Sequence, residues 1–360
     1  MTTTSEKVTI QVTKPVVDAL KTVARLTPKR SSFVAYEHVR VTAEGNDLTL
    51  EAASSEMYYR RTIYVPDMHI PTPVSAVFHR DVLLSAKAPT TLVLGVQPKI
   101  GAMALVPAVL PDDFPGEPPE AASEVINCDA DYFHALERAA ISAAKTESRP
   151  VLTGIYHRGD ALFSTDGLRA YWATLNVSWP QDLILPATYA ATLHRLFDKS
   201  GAYMGWNDDY IWYRANGQKM AIRRIHGTYP DVQRVFPTMP KAEGALQNCQ
   251  AWLDALDEVL TLYKLNKREL KNTRNTEGQI LLEGSGDTAV ISARMLGSEV
   301  RKELPFVTNG SISIRLNAHY LKDAIEQLAD DPSFVFYGSD SPFLLQQGHR
   351  KALVSPILMR

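Results

Sequence analysis

The 360-residue chain holds only two cysteines, Cys128 and Cys249. So few thiols, so far apart, exclude a disulfide framework and a local thiolate metal site, and they fit a reducing compartment. Long apolar runs are also missing. The longest, Ala102 to Leu110, is broken by Pro107 and falls far short of a membrane span. The stretch from Met1 to Lys7 is polar and lacks the apolar core of a signal peptide. Together these absences predict a cytoplasmic protein with no membrane partner.

Several chemistries lack their signatures. No Gly-Lys dipeptide occurs, so the phosphate-cradling P-loop is absent. No Gly-x-Ser-x-Gly elbow occurs, and Gly284-Ser285-Gly286 reads as a turn between strands. The nine histidines are scattered, with no two within four residues of each other. A helical zinc site needs that closeness so that two imidazoles share one face. Asp129 and Asp131 open a predicted helix, where capping and the helix dipole account for them. No catalytic residue, metal ligand or cofactor is assigned. Excess charge of one sign is absent too. A net charge of −2 excludes a uniformly basic nucleic-acid binder, but not a basic face on an acidic body.

What remains is an ordinary globular composition, 45% apolar and 22% charged, in a chain long enough for two or three domains. The strongest positive signal is repetition at about 120 residues. The first unit opens with a strand, Val8 to Val12, then Pro15 and a helical stripe of Val16, Val17, Leu20, Val23 and Ala24. The second opens at Val125, with Tyr132, Phe133, Leu136, Ala139 and Ala140 as its stripe. The third opens at Asn248, with Trp252, Leu256, Val259, Leu260 and Tyr263. Cys128 and Cys249 occupy matching strand-to-helix junctions, as small buried side chains would.

A second strand-helix pair recurs around Asp81 to Leu84, Tyr189 to Phe197 and Tyr320 to Leu328. Gly159-Asp160 and Asn216-Gly217 read as hairpin turns. Pro111 to Pro119 and Pro237 to Gly244 read as linkers. The expectation is an α+β fold. It has three repeated domains, at 1–122, 123–243 and 244–360, each with two helices packed on antiparallel sheet.

Four motifs, in order, carry a resemblance. Arg149-Pro150-Val151-Leu152-Thr153-Gly154 is followed by Ser164-Thr165-Asp166-Gly167-Leu168-Arg169. Then come Tyr229-Pro230-Asp231-Val232-Gln233-Arg234-Val235-Phe236-Pro237 and Asn317-Ala318-His319-Tyr320-Leu321-Lys322-Asp323-Ala324. With these motifs the chain resembles the beta subunit of bacterial DNA polymerase III, the sliding clamp, along essentially its whole length. The resemblance implies three clamp domains per chain and a head-to-tail homodimer closing a ring on duplex DNA. It implies no active site. Its partners would be the polymerase III catalytic subunit, the clamp loader and other proteins bearing a clamp-binding motif. An α+β nucleic-acid hydrolase is the competing class, and would need paired carboxylates at strand ends to hold magnesium. A clamp-like decoy or regulator that never supports a polymerase is the other.

Two sets of site residues follow. Basic residues recur on the first helix of all three units. They are Arg25, Lys29 and Arg30, then Lys145 and Arg149, then Lys264, Lys267 and Lys271, with Lys21, Arg138, Arg268 and Arg274 nearby. Phosphate attraction without base readout would let a ring slide on DNA. By the resemblance, Arg30 and Arg149 are the leading pair. The resemblance also implies a partner-peptide pocket of Leu152, Thr165, Gly167, Leu168, Arg169, Ala170, Pro230, Arg234, Val235, Tyr320, Val354, Ser355, Pro356 and Ile357. Leu152, Val235 and Ile357 are expected as its apolar floor. Leu168 stands where the family often has His, and Ala170 where it often has Leu. The C-terminal residues after Pro356 also depart from the family's ending.

Overall fold

A computed structural model of the chain describes residues 7–120, 125–146, 148–266, 278–295, 298–328 and 330–358. Six helices lie among them: α1 (Lys14–Ala24), α2 (Arg80–Ser85), α3 (Ala130–Ser142), α4 (Ala190–Phe197), α5 (Cys249–Asn266) and α6 (Ala318–Leu328). α1 packs on α2, α3 on α4, and α5 on α6. The two-helix pattern of each repeat is therefore present in space.

The helices form where their apolar spacing puts one stripe inward. α1 has Pro15 in its first turn and buries Val16, Val17, Leu20 and Val23. Each such side chain contributes roughly 1.5–3 kcal/mol on burial. α3 starts at Asp129, whose side chain accepts the backbone N–H of Tyr132 at 3.1 Å. Its stripe buries Tyr132, Phe133, Leu136 and Ala139, whereas Ala140 is only partly covered. α5 is capped by a side chain distant in sequence. Asp331 accepts the N–H groups of Asn248 (3.0 Å) and Cys249 (2.8 Å), which draws its carboxyl below the usual range. Burial and the Asp331 carboxylate push the Cys249 thiol up to about 12, so it packs rather than reacts.

The chain divides into two compact units, residues 1–128 with 200–224, and residues 129–199 with 225–360. In the first unit an eight-stranded sheet runs Ile70–His79, His38–Gly45, Asp47–Ala53, Met57–Tyr64, Gln218–Arg223, Tyr210–Ala215, Ala202–Trp206, Ile126–Cys128. A four-stranded sheet runs Val8–Val12, Thr90–Leu94, Lys99–Ile100, Met103–Ala104. In the second unit a ten-stranded sheet runs Gly154–Thr165, Arg169–Pro186, Arg350–Val354, Phe343–Gln347, Ser333–Phe336, Ala242–Leu246, Ser298–Thr308, Thr288–Met295, Gln279–Ser285, Ile312–Asn317. Its core stacks Phe306 on Phe334 at 4.6 Å and Phe334 on Phe343 at 5.4 Å, beside Trp252 and Leu256 of α5.

The units cut through the expected middle repeat, 123–243, because backbone pairing crosses the expected boundaries. Tyr58 opposes Ala221, so a first-repeat strand pairs with the last strand of the second repeat. Arg169 to Ala173 oppose Val354 to Arg350, so a second-repeat strand pairs with the last strand of the third.

Local details confirm some expectations and correct others. Asn216 (φ +48°) and Gly217 (φ +71°) make the expected hairpin turn, and a Cβ on Gly217 would lie 2.9 Å from the Thr62 carbonyl oxygen. At Gly159, where the sequence predicts a turn, the strand register slips instead and φ is +57°.

The linker expectations hold in part: residues 114–119 and 237–241 form neither helix nor strand, yet neither stretch hangs free. Ala242 to Gly244 belong to a strand with a neighbour on each side. A Cβ on Gly244 would lie 1.8 Å from the Val307 carbonyl oxygen, so this glycine permits close strand approach rather than chain mobility. The Pro111 to Pro119 stretch is likewise fastened. Phe114 is buried beneath Arg40 at 5.1 Å, and Glu117 pairs with Arg60 (2.7 Å) and Lys219.

Candidate functional site

The pocket residues expected from the sequence all lie in the second unit. Their framework is the turn Thr165-Asp166-Gly167-Leu168. The Asp166 carboxylate accepts the N–H groups of Leu168 (2.9 Å) and Arg169 (3.1 Å). Thr165 Oγ1 accepts the Gly167 N–H at 3.0 Å and donates to the Arg169 carbonyl at 2.6 Å. A turn held this firmly presents Leu168 outward, 54% exposed. The Leu168 carbonyl in turn accepts the N–H of Ser355 at 2.9 Å, and the Ile357 N–H donates to the Arg315 carbonyl at 2.8 Å. The C-terminal segment is thus laid along the turn by backbone bonds.

Arg169 is the polar centre of this region. It is buried, its Nε donates to Asp166 at 2.9 Å, and its guanidinium pairs with Asp323 on α6. The guanidinium carbon also sits 4.7 Å over the Tyr320 ring. Burial, and then the Asp166 charge, raise the Tyr320 hydroxyl, which stays neutral at physiological pH.

Beneath the turn lies an apolar cluster of Leu152, Tyr156, Phe163, Ala170, Ile184, Tyr229, Val232 and Leu353, with Trp172 and Phe236 packed against it. Tyr229 stacks on Tyr156 at 4.8 Å, and its hydroxyl accepts the Thr165 N–H at 3.1 Å. Burial pushes that hydroxyl far above its ordinary range. Pro230, Arg234 and Val235 are exposed on the following segment, and Arg234 pairs with Asp231 at 2.9 Å.

The expected floor needs revision. Leu152 is 4% exposed and Val354 fully buried, so both support the surface from below. Val235 is 48% exposed and stands at the surface with Leu168, while Pro356 and Ile357 are half-buried. Asp323 and Trp172 escaped the sequence reading. Asp323 lies inside a matched motif, but nothing local announces an ion pair to a residue 154 positions away.

The basic residues sit at helix ends. Arg25 follows α1 directly, its N–H bonded to the Lys21 carbonyl, and Lys29 and Arg30 are exposed just beyond. Lys145 and Arg149 are exposed after α3, and Lys264 is exposed in the last turn of α5. Lys267, Arg268, Lys271 and Arg274 lie outside the described residues. Arg138 differs from the rest. It is only partly exposed, and its carbonyl accepts from Gln327 of α6 at 2.8 Å. Among the described residues no helix is long and apolar enough to cross a membrane.

No family model matches the chain. The beta sliding clamp of Staphylococcus aureus (strain Mu50 / ATCC 700699) is 23% identical over 252 residues, 66% of this chain and 64% of that protein. That of Staphylococcus epidermidis is 22% identical over 249 residues, with the same coverage. The matched stretch thus spans less than two thirds of these relatives' own length. Among solved structures, the Pseudomonas aeruginosa sliding clamp bound to griselimycin superposes with a TM-score of 0.85 at 18% identity, covering 99% of this chain and all of that one. The beta subunit of the Streptococcus pyogenes polymerase gives 0.85 at 17% identity, covering 98% and 100%. The resemblance to the bacterial DNA polymerase III beta subunit, the sliding clamp, therefore holds in sequence and in fold.

Proposed function

We propose that the chain is a sliding clamp, a ring subunit without catalytic activity that encircles duplex DNA and tethers the replicative polymerase in the cytoplasm. The proposed domains are 1–122, 123–243 and 244–360. The carrying observation is the recurring joint between repeats. In each of two places, an internal strand of one repeat pairs with the last strand of another: Met57–Tyr64 with Gln218–Arg223, and Arg169 to Ala173 with Arg350–Val354. The matching strand of the third repeat is Ser298–Thr308. Among the described residues, its Ser298 to Leu304 portion pairs with a strand on one side only. The last strand of the first repeat, Met103–Ala104, likewise has one neighbour. One free edge of each kind supports a head-to-tail join between two copies, which closes a ring and removes both edges.

Apolar surface is exposed in both units. An apolar groove of about 610 Å³ lined by Val74, Val96, Pro98, Pro107 and Leu110 lies in the first unit. Leu265, 79% exposed, lines a second cleft with Leu262 and Val300. Arg25, Lys29, Arg30, Lys145, Arg149 and Lys264 would face phosphate, with Lys267 and Lys271 continuing the third set. The surface around Leu168, Arg169, Tyr320, Val235 and Ile357 would take a short peptide from the polymerase, the clamp loader or another clamp-binding protein. Thr165, Gly167, Ala170, Pro230, Arg234, Ser355 and Pro356 would frame it, over Leu152 and Val354.

The test is topological. A chain of 40.0 kDa should run at about 80 kDa in solution. Once loaded, it should stay on circular DNA in high salt and run off linear DNA. Equal, salt-labile retention on both forms would overturn the proposal.

A further inference from the structure

Sequence spacing puts no two histidines on one helical turn, yet the fold brings His134 of α3 beside His194 of α4. Nδ1 of His134 lies 3.1 Å from Nε2 of His194, with ring centroids 4.6 Å apart. The other ring nitrogen of His194, Nδ1, is 3.1 Å from the Glu137 carboxylate on α3. Asp198 Oδ2 is 3.9 Å from His194 Nε2. Phe133 and Phe197, the chain neighbours of His134 and Asp198, stack at 5.8 Å and hold the two helices together.

The Glu137 carboxylate, 3.1 Å away, can only accept, which favours the proton on Nδ1 of His194. In the neutral ring Nε2 then carries the lone pair. That lone pair points at Nδ1 of His134. Two imidazole nitrogens bound to one tetrahedral zinc ion at about 2.0–2.1 Å stand about 3.3 Å apart. The observed 3.1 Å is close to that edge. Replacing the shared proton by a metal ion therefore needs little movement of either ring.

We propose that His134 Nδ1 and His194 Nε2 form a site for a divalent transition-metal ion of the zinc and nickel class. Asp198 supplies a third ligand, water completes the shell, and Glu137 orients His194 from behind, as carboxylates commonly orient ligating imidazoles. Among the described residues no three His, Cys, Asp or Glu side chains already form such a group. The shortfall is Asp198, whose Oδ1 accepts the Lys199 N–H at 2.7 Å while Oδ2 remains to turn inward. The two imidazoles thus carry most of the affinity. His194 and Asp198 are partly open to solvent and Glu137 more so, which gives an ion access. Bound there, it ties α3 to α4. The site stands on this geometry whether or not the chain is a clamp.

The experiment is calorimetric titration of the untagged, chelator-stripped full chain with zinc chloride and with nickel chloride. Melting temperature is followed alongside. One ion per chain with micromolar affinity, and a higher melting temperature with zinc, is expected. His134→Ala and His194→Ala should each weaken binding at least ten-fold. Glu137→Gln should weaken it about ten-fold, and His319→Ala should leave it unchanged. Melting in chelator shows whether each variant is folded. Should His194→Ala prove unstable, the exposed His134→Ala decides alone. Binding that survives His134→Ala undiminished, or no binding below millimolar metal, overturns the site.

Discussion

Arg169 and Asp323 join two stretches of chain that the sequence keeps far apart. The guanidinium leaves the Thr165–Leu168 turn and meets the carboxylate on α6, held meanwhile by Asp166 and covered by Tyr320. Replacing Arg169 by Ala leaves two carboxylates facing each other without their cation. Breaking a buried pair costs about 3 kcal/mol. Arg169→Ala should therefore lower the urea midpoint with the slope unchanged, and Arg169→Lys should recover only part, because an ammonium cannot fork to two carboxylates. An unchanged midpoint would show that the pair contributes nothing to stability.

Val235 offers a cleaner probe of the peptide surface, because it is half exposed and its loss should hardly disturb the fold. Val235→Asp places a charge where an apolar anchor would rest. Losing one such anchor costs roughly 1.5–3 kcal/mol, or about ten- to 160-fold in affinity. Titration of a labelled clamp-binding peptide reads this directly, while the dimer mass should not move. Leu168→His should alter which peptide is preferred. Undiminished binding by Val235→Asp would place the peptide elsewhere.

Charge on the helix ends should act through phosphate alone. Replacing Lys29 and Arg30, or Lys145 and Arg149, by Ala should weaken association equally on unrelated DNA sequences. The slope of log affinity against log salt should become shallower by about 0.9 for each phosphate that the variant no longer neutralises. A defect confined to one sequence would mean base readout.

His157 gives a pH prediction. The ring is fully buried, its Nδ1 donating to the Ile155 carbonyl (3.1 Å) and its Nε2 accepting from the Tyr132 hydroxyl (3.1 Å). Burial lowers its pKa to about 3 from an ordinary 6.5. Between those values the unfolded chain binds a proton that the folded chain does not. Stability therefore falls as pH drops below about 6.5, by up to about 1.4 kcal/mol per unit, and this contribution levels off near pH 3. His157→Gln should flatten this limb of a stability-against-pH curve, even if it lowers the whole curve. An unchanged limb would assign the acid sensitivity to other groups.

The sequence displays what is local and hides what is not. The stripes of α1, α3 and α5, the Asp129 cap and the Asn216-Gly217 turn are legible because each depends on neighbours within a few residues. Pro237 to Gly244 reads as a linker because glycine serves mobility and close packing alike. Only the approach of Val307 distinguishes them. The turn at Thr165 to Leu168 is readable through its motif. Its partner Asp323 is not, since an ion pair across α6 leaves no periodic trace. The His134 and His194 pairing is invisible for the same reason, being made by two helices rather than one.

The pairing of Arg169 to Ala173 with Arg350–Val354 also bears on how such a chain can be taken apart. Each repeat looks like a module in the sequence, yet the middle one has no independent boundary. Excising residues 123–243 would strip partners from two of its strands, Gln218–Arg223 and Arg169 to Ala173, and expose two sticky edges at once. Such a fragment should aggregate where the intact chain does not. The repeat read in the sequence and the compact unit of the fold are different lengths of polypeptide, and exchanging one repeat for another would have to carry a neighbour's strand with it.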